Sequence, residues 1–155
     1  MKLNYLLIPL VTLAVAVGGS VLTSAGVSGW YKTIKLPAWT PPGSVIGLVW
    51  TAIFALTAAA AFLVWNGSGA KPRLGLIAVV FLLNAALNVL WSLLFFRLHF
   101  MFAAGWEAAL LDLTVIALIV LCWPISRLAA VLLMPYAGWA AFATYLTFTV
   151  WNLNR

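Results

Sequence analysis

Five apolar runs, at about 3–26, 44–65, 74–96, 102–123 and 128–151, occupy nearly all of this 155-residue chain. Each is about 20 to 24 residues long, and at a rise of about 1.5 Å per residue a helix of that length crosses a hydrocarbon core of about 30 Å. Spanning strands would instead read as alternating segments of about ten residues. Hydrophobic residues make up 66% of the chain and charged ones 6%, against about 45–50% and about 25% in a soluble domain. Eight Lys and Arg with two acidic residues cannot clothe a water-soluble fold of this size. The fold class is therefore an all-α integral membrane protein, a bundle of five transmembrane helices, with residues 1–155 as one domain.

A net charge of +6 would suggest an acidic partner in a soluble protein, but here the bases sit singly or in pairs at the ends of the apolar runs. They read as interfacial anchors, and no nucleic-acid partner is expected. Five spans place Lys2, Lys71, Arg73 and Arg127 on one face and Lys32, Lys35, Arg97 and Arg155 on the other. This four-against-four tie assigns no orientation by the positive-inside rule. The first run, which ends in TSAG, has a secretory signal as its alternative, but its length suits a retained span better than a signal core of about 7–15 residues. Cys122, the only cysteine, excludes an intrachain disulfide and a CxxC metal site.

Three of the four connections are short: NGSGAKPR at 66–73, RLHF at 97–100 and WPISR at 123–127. Consecutive helices are thus expected to be antiparallel neighbours. The first connection, 28–43, is long and holds WYKTIKLPAWTPP, with Trp30, Tyr31 and Trp39 among Pro37, Pro41 and Pro42. An interfacial aromatic belt would explain the rings but not three prolines within six residues. Proline removes a donor and stiffens the chain, which suits an ordered lid.

Beneath such a lid three helix faces carry polar or aromatic stripes. Trp50 and Phe54 are four apart; Asn84, Asn88 and Trp91 fall at i, i+4 and i+7; Trp139 and Ala143 share a face just after Pro135 and Tyr136. The asparagines suit either interhelical hydrogen bonding or ligand contact, and chemistry alone leaves both open. Ala137 with Ala141, and Ala140 with Thr144, have small-xxx-small spacing, which permits close approach of a helix from the same bundle or from a second protomer.

Glu107 and Asp112, the two acidic residues, are five apart in the fourth span and so lie on different faces. A two-carboxylate acid/base site is not expected. Glu107 is assigned a structural or pocket-shaping role, either neutral or paired with Lys32, Lys35 or Arg97. The single histidine, His99, lies in a short loop and reads as solvated rather than as a metal ligand. No GxSxG, HExxH or phosphate-binding glycine loop occurs, and no catalytic residue or metal site is assigned.

Taken together, WYKTIKLPAWTPP, GLVW at 47–50, NAALNVLWSLLFF at 84–96, Glu107 and PYAGWAAFATYLTFTVWNLN at 135–154 resemble the TspO/MBR family of tryptophan-rich sensory and translocator proteins. The resemblance implies a multi-pass protein of a bacterial cell membrane, often a homodimer, whose first loop closes a pocket for protoporphyrin IX, haem and related hydrophobic ligands. It implies contacts from Tyr31, Trp39, Pro41, Trp50, Phe54, Asn84, Asn88, Trp91, Trp139 and Ala143. No cofactor is required; the tetrapyrrole is the ligand. KLP stands where the family more often has KP, and Phe148 stands where its sterol pattern has tyrosine, so sterol binding is not carried over. Sensing of a tetrapyrrole, with a regulatory or stress-response role, is the expected function. A porphyrin transporter is one alternative, disfavoured by the absence of an internal repeat. The other is light- and oxygen-dependent porphyrin degradation, in which Trp50 and Trp139 would take part.

Overall fold

The structure, a computed structural model, describes residues 3–67 and 73–155. Lys2, Lys71 and most of the 66–73 connection lie outside the described residues. Five helices follow in order: α1 Asn4–Val27, α2 Gly43–Asn66, α3 Leu74–Ser92, α4 Met101–Cys122 and α5 Arg127–Asn154. All five are long and apolar enough to cross a membrane, α3 together with the turn that extends it to Arg97. In hydrocarbon every backbone N–H and C=O needs an internal partner, and a helix supplies one within each span.

Local chemistry sets where the helices stop. Pro41 and Pro42 precede α2, and the Pro42 carbonyl accepts from the amides of Val45 and Ile46 at 2.9 and 3.1 Å. Ser126 caps α5, its hydroxyl accepting from the Ala129 amide at 3.2 Å. The end of α3 widens into a π turn over Leu93–Arg97, closed by the Leu98 amide on the Leu93 carbonyl at 3.0 Å. His99 then reverses the chain with a φ of 59°.

Buried side chains form three layers along the bundle. Val64, Ile77, Leu118, Cys122 and Leu133 pack at one end. Ile53, Leu87, Leu111, Val115, Tyr136 and Ala140 pack in the middle. At the end nearest the first connection, Phe95, Phe96, Ala104 and Val150 gather Trp30, Tyr31 and Trp91 around them. With lipid outside, dispersion and close fit hold such layers together rather than expulsion of water. Ala140 is buried against Leu111 and Val115 of α4, so its part of the small-residue stripe serves helix packing within the chain. Gly105 belongs to the same contact, since a Cβ there would come within 2.7 Å of the Phe148 ring.

The helix α1 is peripheral. Its 4–24 segment has no buried residue, and its closest approach is at Gly26, where a Cβ would meet the Phe96 carbonyl oxygen at 2.7 Å.

Candidate functional site beneath the first connection

The first connection is ordered by contacts at both ends. A 3-10 turn, Trp30–Lys32, stacks Trp30 on His99 at 4.0 Å between ring centroids and sets it edge-on to Phe95 at 5.6 Å. His99, expected as a solvated loop residue, is exposed and also serves as this platform. Tyr31 meets Phe95 and Phe96, and its burial pushes the phenol above its ordinary value of 10.0. At the middle, the Asn154 side chain pairs with the Lys35 backbone: its Oδ1 accepts from the Lys35 amide and its Nδ2 donates to the Lys35 carbonyl, each at 2.8 Å. Further on, Thr40 turns back on the Pro37 carbonyl through its amide and its hydroxyl. That turn presents Trp39, which stacks on Tyr145 at 5.4 Å and edges onto Phe142 at 5.9 Å. Pro41 is half-buried in the extended stretch before α2.

Below this loop, Trp50 stacks on Phe54 at 5.6 Å and lies edge-on to Tyr136 at 5.8 Å. Trp139 packs on Phe142 at 5.2 Å, and both Trp50 and Trp139 lean on the middle layer. Trp91 lies nearly parallel to Phe95 at 5.2 Å. The indole nitrogens of Trp91 and Trp139 are buried with no hydrogen-bond partner among the described residues. Ala143 is half-buried, and its carbonyl accepts from the Thr147 hydroxyl at 2.7 Å.

The amide stripe on α3 faces inward, with Asn84 and Asn88 only 4% and 7% exposed. Asn84 Nδ2 donates to Thr114 Oγ1 at 2.9 Å, and Asn88 Nδ2 donates to the Tyr136 hydroxyl at 3.0 Å. Both amides also line a cavity of about 600 Å³ with Phe54 and Tyr136. Interhelical bonding and a place on a cavity wall thus coexist in the same side chains. Glu107 is buried with neither oxygen hydrogen-bonded among the described residues; Lys32, Lys35 and Arg97 are exposed and do not reach it.

Eight of the ten predicted residues fall into three groups, with Pro41 and Ala143 in none of them. Trp50, Phe54, Asn84 and Asn88 connect through Tyr136, and Trp39 reaches Trp139 through Phe142. Tyr31 and Trp91 meet separately on Phe95 and Phe96. Of the ten, only Phe54, Asn84 and Asn88 line the cavity. Tyr136 and Phe142, which join the pieces, were missing from the prediction. Their signal was present in PYAGWAAF: Tyr136, Trp139 and Ala143 fall at i, i+3 and i+7, and Phe142 is three from Trp139.

Comparison with known proteins identifies the family of the chain. The TspO/MBR family model matches residues 7–152. The chain is 37% identical over 125 residues to Tryptophan-rich protein TspO of Bacillus cereus, covering 81% of this chain and 80% of that one. It is 36% identical over 146 residues to the protein of the same name from Archaeoglobus fulgidus, covering 94% and 93%. The human Translocator protein is 34% identical over 132 residues, covering 81% and 75%. With five membrane-crossing helices and a family match over nearly its whole length, the chain belongs to the TspO/MBR family and is a multi-pass integral membrane protein.

Proposed function

We propose that this protein is a membrane receptor for a flat, largely apolar ligand of the tetrapyrrole class, such as protoporphyrin IX or haem, held by the tryptophans beneath the first connection. The observation that carries this reading is the pair of buried indole N–H groups, on Trp91 and Trp139, that find no acceptor among the described residues. A buried donor without a partner is uncommon and calls for an acceptor from elsewhere. A tetrapyrrole offers ring faces to the indoles and peripheral carboxylates to their N–H groups. His99, the one imidazole, is engaged on Trp30 outside this region, so recognition rests on the ring plane and not on histidine ligation of an iron. Sensing requires no proton-transfer set, which agrees with a site built from rings and amides. A homodimer, which the resemblance implies, is part of the proposal and is checked by the mass of the protein in nanodiscs.

Titration of the protein in nanodiscs with protoporphyrin IX in the dark, followed by tryptophan quenching, tests the reading. Saturable binding that weakens in a Trp50→Phe/Trp139→Phe variant is expected; binding absent from the wild type would remove the assignment. Loss of the porphyrin's visible absorption under light, dependent on the same tryptophans, would replace sensing with degradation. The human relative's name suggests movement of a ligand, and uptake into proteoliposomes would put transport ahead.

A further inference from the structure

The cavity of about 600 Å³ lies in the half of the bundle away from the first connection. Its walls come from α1 between Leu3 and Val15, α2 between Phe54 and Trp65, and α3 between Ala78 and Asn88, with Tyr136 at the inner end. Since α1 and α3 run toward the first connection and α2 runs away from it, all three stretches cover the same leaflet. From Leu3 to Val15 a helix rises about 18 Å, close to half of a hydrocarbon core of about 30 Å.

The opening faces lipid. Leu7 on α1 and Leu82 on α3 both line the cavity and are 44% and 56% exposed, which places its mouth on the apolar flank between these two helices. Among the described residues no lining residue is charged. Apart from Asn4, Thr12, Thr57, Asn84, Asn88 and Tyr136 the lining is apolar; an empty void of this size would leave those walls without contacts on one side, and water finds few partners along them. At the outer end Asn4 Nδ2 is buried on the wall with no partner among the described residues. It stands at the first turn of α1, a helix of 24 residues; at about 1.5 Å per residue such a helix outruns a hydrocarbon core of about 30 Å, so its first turn falls in the interfacial region that holds a phospholipid's ester groups.

From this geometry we infer that the cavity holds one acyl chain of a bilayer phospholipid from the leaflet opposite the first connection. The ester carbonyl sits at the level of the Asn4 amide, and the methylenes run inward against Val11, Val15, Ala58 and Ala85. Length, opening and wall chemistry each match a single aliphatic chain. Phe54, Asn84 and Asn88 stand at the inner end of this cavity and also beside the tryptophan site, but the inference does not rest on the tetrapyrrole reading, because Trp50, Trp91, Trp139 and the first connection do not line it.

The test uses the full chain in nanodiscs containing a phosphatidylcholine with a photoactivatable diazirine midway along one acyl chain. After illumination, label is expected on the half-buried wall residues Val11, Ala58 and Ala85 at several times its level on the lipid-facing Leu113 and Val120 of α4. An even distribution would overturn the proposal. In Ala58→Leu/Ala85→Leu, which fills the space, wall labelling at Val11 should fall several-fold while Leu113 and Val120 keep theirs; unchanged labelling in a folded variant would also overturn it. Thr57, whose hydroxyl is buried on the inner wall without a partner among the described residues, gives an independent variant. Thr57→Val should leave labelling unchanged or raise it, whereas a clear fall would show that the occupant carries an inner polar group and is not an acyl chain.

Discussion

The hydrogen bond from Asn88 to the Tyr136 hydroxyl joins α3 to α5 at the inner end of the cavity. Removing its acceptor in Tyr136→Phe leaves a buried amide short of a partner. Interhelical bonds of this kind average about 0.6 kcal/mol and reach about 1.7, so a fall of that size in unfolding free energy in detergent is expected. Glu107→Gln should by contrast change stability little, because neither carboxyl oxygen is hydrogen-bonded among the described residues and the swap conserves shape; denaturant unfolding of the two variants side by side checks both. Tyr31 lies outside the spans, and its burial raises the phenol pKa above 10.0. The folded loop therefore favours the neutral phenol: the stability this lends is complete below pH 10.0 and is lost as pH rises through the folded value. Detachment of the loop above that pH, seen as tyrosinate absorbance and as release of Trp30 fluorescence, should be reduced in Tyr31→Phe. Such pairings were hard to read in advance. The i, i+4 spacing of Asn84 and Asn88 shows one face, but which hydroxyl meets each amide depends on how three other helices pack around it.

At the scale of elements, the first connection is held as a lid by one side chain at the end of the last helix. Asn154 binds both backbone groups of Lys35, a contact that spans 119 positions in the chain. Asn154→Ala deletes both hydrogen bonds to the loop, worth about 0.5–1.5 kcal/mol each, along with one from Nδ2 to the Val150 carbonyl within α5. Amide exchange at Lys35 should accelerate, and a ligand held beneath the loop should leave roughly tenfold faster, since about 1.4 kcal/mol is tenfold. Prolines and aromatics in WYKTIKLPAWTPP foretell a stiff loop, yet nothing in that stretch points to Asn154. The docking of α1 is similarly local. In Gly26→Ala the new methyl would meet the Phe96 backbone oxygen, which cannot swing aside; overpacking of this kind costs about 1–3 kcal/mol. A lower melting temperature in detergent and faster exchange over the last turns of α1 would report it. The π turn at Leu93–Arg97 likewise escapes a reading of LLFFR as plain helix, because its extra residue per turn reflects the burial of both Phe95 and Phe96 in one layer.

Across the whole molecule, burial is graded from α4, which carries nine buried residues, to α1, whose 4–24 segment has none. Amide exchange in nanodiscs should follow that order, with α1 opening first and α4 last; uniform exchange over the five helices would contradict it. The membrane environment, the helical class and the number of spans are legible in the amino-acid sequence alone. Those properties follow from apolar length and from the need to satisfy the backbone inside lipid, and each is decided within a single run of residues. The sequence also marks the faces that turn inward, since a helix repeats every 3.6 residues whatever lies beside it. Which faces meet depends on packing across the bundle: that Tyr136 receives Asn88, that Asn154 pins the lid, and that a cavity of about 600 Å³ opens along α1 in the half away from the lid. Every outward face is about equally apolar, so hydropathy cannot rank one helix pairing over another. The choice rests on small residues such as Gly105, Ala140 and Gly26, and on a few polar pairs, whose value depends on what stands across the interface.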